Sequence, residues 1–213
     1  AVLVPHVAHR TDLDYILGEL IGELNAGHTY VFEGTMPSVE RVPVGLLGCE
    51  LEADGSRWRI AKIYDGSNWH DDERSPLTEP GLGVREGMYI IEIDGSQLDS
   101  STSPYVYLEN RVDEPVEIVV AEGPDGDGSR RITVRPIGSE LKLYYMDWVE
   151  ENRRLVEELS GGRIGYMHIP NTWYDGYRAF FEAFQPLMDK DALIIDERYN
   201  GGGHSPYEMV EIM

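Results

Sequence analysis

The 213 residues (24.1 kDa) include 39 Asp and Glu against 18 Lys and Arg, a formal net charge of −21. Without Lys/Arg clusters to contact phosphates, that balance argues against nucleic acid and anionic membrane as partners. It reflects either a salty habitat or a preference for basic segments of substrate. Charged residues at 27% and apolar ones at 41% are ordinary for a folded chain, which at this length makes one large domain or two small ones. No run approaches the roughly 18 apolar residues needed to span a bilayer, and the N-terminus lacks a signal-peptide pattern. The chain begins Ala1-Val2-Leu3 and stops at Ile212-Met213 inside a helical pattern, so it reads as a piece of something longer.

In chain order, Leu13, Ile16, Leu17, Leu20, Ile21 and Leu24 recur at helical spacing. Thr11 with Asp14 supplies an N-terminal box and Gly27 a C-cap, so this helix is expected to bury one full stripe. His28 would then sit at the negative end of the helix dipole, which favours imidazolium and makes a better base; the alternative is an exposed or structural histidine. From Val42 to about Pro136 the pattern changes to short β-like runs. These are Val44–Leu51, Trp58–Tyr64, Tyr89–Ile93 ending in the Asp94-Gly95 turn, and a hairpin of Val116–Val120 and Arg131–Val134 around a Gly/Asp/Pro loop. Cys49, in an apolar run, reads as a buried inert thiol, and as the single cysteine it rules out an internal disulfide framework. The apolar glycine-flanked loop entering a strand, the Gly81–Met88 segment before another, and Ile93-Asp94-Gly95 resemble a PDZ module, which takes an extended peptide as an added strand. A purely structural insertion is the alternative.

Asp147-Trp148-Val149-Glu150 opens a further helix with a capping box, carrying Val149, Val156 and Leu159 inward and stopping at Gly161-Gly162. Ile164–Pro170 reads as a strand, Tyr177, Phe180, Phe181 and Phe184 as the apolar face of a helix, and Ala192–Asp196 as a strand buried on both faces. Together they predict a right-handed βαβ crossover with parallel strands. His168, on the first of these strands, reads as a packed or solvated ring. After the last strand come Asn200-Gly201-Gly202-Gly203-His204 and then Ser205-Pro206-Tyr207-Glu208, with Ser205 as N-cap and Pro206 as first helical residue. Three glycines at the carboxyl end of a strand let backbone N–H groups approach an anion or a developing oxyanion. The competing readings are a flexible turn and a nucleotide site, and the second lacks both phosphate-loop fingerprints.

Three separated segments carry a more specific likeness. Gly22–Tyr30 with its Gly27-His28-Thr29-Tyr30, Val44–Glu52 with Asn68-Trp69 and Arg74–Gly81, and Gly161–Tyr166 with Arg198–Gly203 resemble, collinearly, the C-terminal half of the tricorn proteases, relatives of the C-terminal processing peptidases. The resemblance implies a multidomain chain of mixed α+β and α/β class. Residues 1–40 would be a helical piece carrying the catalytic histidine, 41–140 an inserted PDZ-like β domain, and 141–213 the start of a crotonase-like α/β core, incomplete at its C-terminus. It implies His28 as general base, the Gly202 N–H as an oxyanion donor with Gly201 and Gly203 beside the substrate, and no cofactor or metal. It also implies oligopeptide substrates, a hexameric assembly and a cytoplasmic location.

Two departures qualify the resemblance. Gly27 stands where the archetypal tricorn has a serine, and the family's nucleophilic serine, its supporting glutamate and the specificity acid fall past Met213, as the propeller domains fall before Ala1. The chain is therefore expected to be catalytically incomplete, with Ser205 an N-cap and not the nucleophile. Alternative functions are a PDZ-type peptide-binding module without catalysis and a crotonase-like core handling an acyl thioester, for which nothing resembles a coenzyme A pocket. The peptidase reading requires residues 28 and 202 to border one crevice.

Overall fold

A computed structural model describes residues 2–32, 34–35, 38–67, 70–204 and 206–213, the side chain of Asp72 excepted. Ser205, Asn68 and Trp69, which enter the readings above, lie outside the described residues. Residues 1–42 and 43–213 are separate compact units.

The first unit is built on helix α1 (Arg10–Gly22). It starts one residue before the expected Thr11 box, because the Asp12 carboxylate accepts the N–H groups of Ala8 and His9, both at 2.9 Å. Arg10 Nε pairs with Asp14 Oδ1 at 2.9 Å, so Asp14 spends its charge one turn along the helix and not on the cap. The helix ends at Gly22, not at Gly27, and the N–H groups of Leu24 and Asn25 close it by bonding back to Ile21 and Gly22 carbonyls. No residue of α1 is fully buried: of the stripe expected from its spacing, Leu13, Ile16, Leu17 and Ile21 are partly buried, and Leu20 and Leu24 are exposed. His28 therefore lies six positions past the helix end and outside the reach of its dipole, which fades within one turn.

The second unit opens with a sheet of strands β1 (Cys49–Asp54), β2 (Arg57–Ile63), β3 (Tyr89–Ile93), β4 (Ser96–Gln97), β5 (Val116–Ala121) and β6 (Arg130–Val134). All pairings are antiparallel in the order β1-β2-β3-β5-β6, with β4 folded back on β3. Asp94 and Gly95, at φ 47° and 79°, take the left-handed pair that a two-residue hairpin turn requires. Alternation along β5 places Val116, Ile118 and Val120 on the core, where Ile60, Ile90, Ile93, Leu108 and Val134 meet them. The first strand begins at Cys49 and not at Val44: Val44 and Leu46 make only single bridges, to Glu109 and Ile137, before the chain joins the ladder. A 3-10 turn at Pro104–Leu108 closes the core from the side.

Helix α2 runs from Leu141 to Ser160, six residues longer at its start than the Asp147 box predicts. Asp147 is no cap: with Glu151 it holds Lys62 of β2, the Glu151 contact being 2.6 Å. Leu143, rather than Leu159, is the buried apolar residue of α2, and Leu159 is exposed. Gly161 and Gly162 stop the helix as expected, both at positive φ, with the Gly162 N–H on the Glu157 carbonyl at 2.8 Å. Strand β7 (Ile164–His168), helix α3 (Tyr174–Phe184) and strand β8 (Ala192–Asp196) then form the expected parallel crossover, in register Ile164↔Ala192 through His168↔Asp196. Met167, Ile169, Phe180 and Met209 make its core, the last from helix α4 (Pro206–Ile212). β8 is covered on one face only: Leu193 and Ile195 pack inward, whereas Ile194 is 44% exposed. Among the described residues this sheet has two strands, so the two-sided burial read from four consecutive apolar residues is not realised.

Candidate functional site

The carboxyl ends of β7 and β8 hold the glycine loop, and main-chain hydrogen bonds tie it to the segment after β7. Gly201 N–H donates to the Pro170 carbonyl at 2.9 Å, Thr172 N–H to the Gly202 carbonyl at 2.8 Å, and His204 N–H to the Thr172 carbonyl at 3.0 Å. The loop thus extends the β8–β7 ladder past the last strand residue, with a parallel bridge at Thr172↔Gly203. Asn200 clamps it: Nδ2 donates to the Ile169 carbonyl at 2.9 Å, and Oδ1 accepts the Gly202 N–H at 2.7 Å.

The three glycines are needed for different reasons. At Gly203 (φ 148°) a Cβ would stand within 2.6 Å of the Trp173 nitrogen and nearer still to the Thr172 carbonyl. Gly202 (φ 77°) has open space around a Cβ, so backbone conformation alone favours glycine. Gly201 has neither constraint, since its nearest neighbours would be 3.9 Å away.

Beneath the loop, Asp196 ends β8 with 8% of its surface exposed. Its carboxylate accepts Tyr166 Oη at 2.8 Å and Arg198 Nε at 2.9 Å, and its Oδ1 accepts the Arg198 N–H at 2.9 Å. The Arg198 guanidinium beside it holds the carboxyl well below the usual range, against the opposing effect of burial. Burial and then the Asp196 bond push the Tyr166 hydroxyl up to about 12. The guanidinium carbon also stacks over Trp148 of α2, 4.9 Å from the ring centroid. His168 is buried, its ring packed edge-on against Trp148 at 4.9 Å. Its Nε2 lies 2.7 Å from the Arg198 carbonyl, which can only accept, so that nitrogen carries the proton and Nδ1 is free to accept from Tyr145 Oη at 3.0 Å. The packed histidine expected from the sequence is what the structure shows. Tyr145 lies in the helical turns that precede the Asp147 box, and Trp148 lies within it, but no local pattern sets either beside His168.

Gly201, Gly202 and Gly203 share this loop. His28 belongs to the first unit, where it is exposed at φ 58° with Nδ1 3.3 Å from Tyr30 Oη. Cys49 is 2% exposed and burial raises its thiol, as expected of an inert cysteine. Among the described residues no three His, Cys, Asp or Glu side chains converge as a metal site, and no helix is long and apolar enough to cross a membrane.

Comparison with known proteins bears on the whole chain. Residues 45–139 match the family described as the tricorn protease PDZ domain. A tricorn protease homolog of Saccharolobus solfataricus is 35% identical over 203 residues, covering 94% of this chain and 18% of that protein. Tricorn protease homolog 1 of Streptomyces coelicolor is 36% identical over 213 residues, covering 98% and 20% respectively. A crystal structure of the tricorn protease superposes with a TM-score of 0.80 at 32% identity, over 98% of this chain and 20% of that one. The chain thus spans about a fifth of the length of the relatives it matches.

Proposed function

From its place in the tricorn protease family, to which the chain belongs along nearly its whole length, we propose that it is part of a cytoplasmic serine peptidase that hydrolyses oligopeptides and assembles as a hexamer. The observation that carries this reading is collinear identity of about 35% over 94–98% of the chain, not any single motif. His28 is the general base: it takes the proton of a serine supplied by residues outside these 213 and returns it to the leaving amine. Gly202 donates its backbone N–H to the tetrahedral oxyanion, with Gly201 and Gly203 shaping the approach. In the resting loop that N–H is held by Asn200 Oδ1 at 2.7 Å. A charged oxyanion is the stronger acceptor and competes successfully for the donor, since charge-assisted hydrogen bonds are about twice as strong as neutral ones.

The test is covalent labelling by a fluorophosphonate probe. The present chain is expected to remain unlabelled, and a polypeptide extended past Met213 to the length of the relatives is expected to label in a manner abolished by His28→Ala. Labelling that survives His28→Ala, or an extended polypeptide that never labels, overturns the reading.

A second reading is favoured by one feature. Among the described residues β1 ends the sheet order and so offers an unpaired edge, the element on which a PDZ-type module adds a peptide strand. In that reading the module binds peptide and the α/β part is its scaffold.

A further inference from the structure

The chain leaves β8 through a turn that its own sequence disfavours. Asn200 N–H donates to the Glu197 carbonyl at 3.0 Å and closes a four-residue turn, Glu197 to Asn200. Within it Tyr199 stands at φ 64°, while Arg198 before it lies outside the left-handed region. That succession is the type II pattern, which takes glycine or asparagine at its third position and here holds a tyrosine. A bulky side chain in the left-handed region is strained and persists only where its surroundings hold it. The ring of Tyr199 is 90% exposed, so the hold lies elsewhere.

It lies on the peptide between the two residues. Type I and type II turns differ by a flip of this central peptide. Its carbonyl, that of Arg198, accepts His168 Nε2–H at 2.7 Å. A flip would turn the carbonyl away from the imidazole and bring the Tyr199 N–H towards a nitrogen that already carries a proton. The ring is fixed in its turn, since His168 is buried, accepts Tyr145 Oη on Nδ1 at 3.0 Å and packs edge-on against Trp148. Asn200, the last residue of the turn, then makes the two bonds that clamp the glycine loop, one to the Ile169 carbonyl and one from the Gly202 N–H.

We propose that His168 is a positioning residue for the Gly202 donor: its Nε2–H locks the Arg198–Tyr199 peptide in the type II orientation, and without it the turn relaxes and Asn200 loses its aim. The lock is a property of this chain alone; its use in hydrolysis rests on the peptidase reading.

Two amide substitutions separate the ring nitrogens. His168→Asn keeps an acceptor for Tyr145 near the place of Nδ1, whereas His168→Gln reaches as far as Nε2 and keeps the donor to Arg198. The nuclear Overhauser effect between Arg198 Hα and the Tyr199 amide proton is strong in a type II turn and weak in a type I turn. It is expected to be strong in the unsubstituted chain and in His168→Gln. In His168→Asn it is expected to be weak, with exchange at the Gly202 amide about tenfold faster. Tyr199→Gly removes the strain, so adding it to His168→Asn is expected to restore both readings, which a histidine acting only by packing against Trp148 would not permit. A strong effect in His168→Asn, a weak one in His168→Gln, or a double variant no better than His168→Asn each overturns the proposal. Should His168→Asn fail to fold, a double variant that folds supports the lock and one that does not overturns it.

In a polypeptide extended to the length of the relatives, His168→Asn is expected to lower kcat about tenfold with KM little changed, and Tyr199→Gly to recover it. An unsubstituted extended polypeptide that hydrolyses no peptide sinks the peptidase reading and not the lock, which the two measurements above decide. One that hydrolyses peptide with a kcat indifferent to His168→Asn overturns the positioning role.

Discussion

Tyr166 on β7 donates its hydroxyl to Asp196 at the end of β8, 2.8 Å away, across strands that are parallel and paired in register. Both residues are buried, and the carboxylate also holds the Arg198 guanidinium. This bond joins the strand pair at the point where the glycine loop departs. Tyr166→Phe removes the donor and leaves a buried carboxylate one partner short, so a loss of about 1–2 kcal/mol is expected in urea unfolding.

The same carboxylate sets a pH dependence. Its folded pKa lies below the unfolded value of about 3.9, so its stabilising contribution is fully present above that value and is lost as pH falls through the folded one. Asp196→Asn is therefore expected to lower the unfolding midpoint at pH 7. The gap from the unsubstituted protein should narrow as the pH is taken below about 4, and a gap that stays constant to pH 2 would contradict this account.

Substitutions along the glycine loop should separate by position. Gly203→Ala drives a methyl group into the Thr172 carbonyl at a φ of 148°, and a loss of about 3 kcal/mol or more is expected. Gly201→Ala should stay within about 0.5 kcal/mol, because nothing lies closer than 3.9 Å to its Cβ. Differential scanning fluorimetry of the pair checks both.

Asn200→Ala removes the acceptor of the Gly202 N–H and the donor to Ile169. Faster hydrogen exchange at the Gly202 amide is expected, with a stability loss of about 1–3 kcal/mol. Unchanged exchange would mean that the amide is protected by something other than this side chain.

Two side chains test the packing. Phe180→Ala, in the core of the crossover at 0% exposure, is expected to cost about 3–5 kcal/mol, and Leu159→Ala, 79% exposed, almost nothing. Cys49 should resist a thiol-reactive disulfide reagent until the protein unfolds, since it is buried and its thiolate is disfavoured.

Periodicity and turn chemistry made much of the β region and the crossover legible. Asp94-Gly95 announces its hairpin, and Phe180 with Phe184 marks the inner face of α3. Where the reading slipped, a side chain had a distant partner. Asp147 has the spacing of a cap but belongs to Lys62, 85 residues away, so its box predicts the start of α2 two turns late. Ala192–Ile195 looks two-sided because apolar content shows how much a strand can bury and not how many faces are covered. Glu140 on Gly48 spans 92 residues and joins a charged side chain to main-chain amides, a contact no local pattern encodes. Asn200 gave no signal either, since its role depends on where the Ile169 carbonyl falls.

The length of α2 joins these two regions mechanically. Glu140 accepts the Gly48 N–H at its head, and Trp148, eight residues on, braces His168 and Arg198 under the glycine loop. At about 1.5 Å per residue the two contacts are roughly 12 Å apart along a single rod. Such a rod does not shift at one end alone unless it frays or bends. A movement of the helix as one body that draws Glu140 from Gly48 therefore also nudges the tryptophan strut that supports the loop at Gly202.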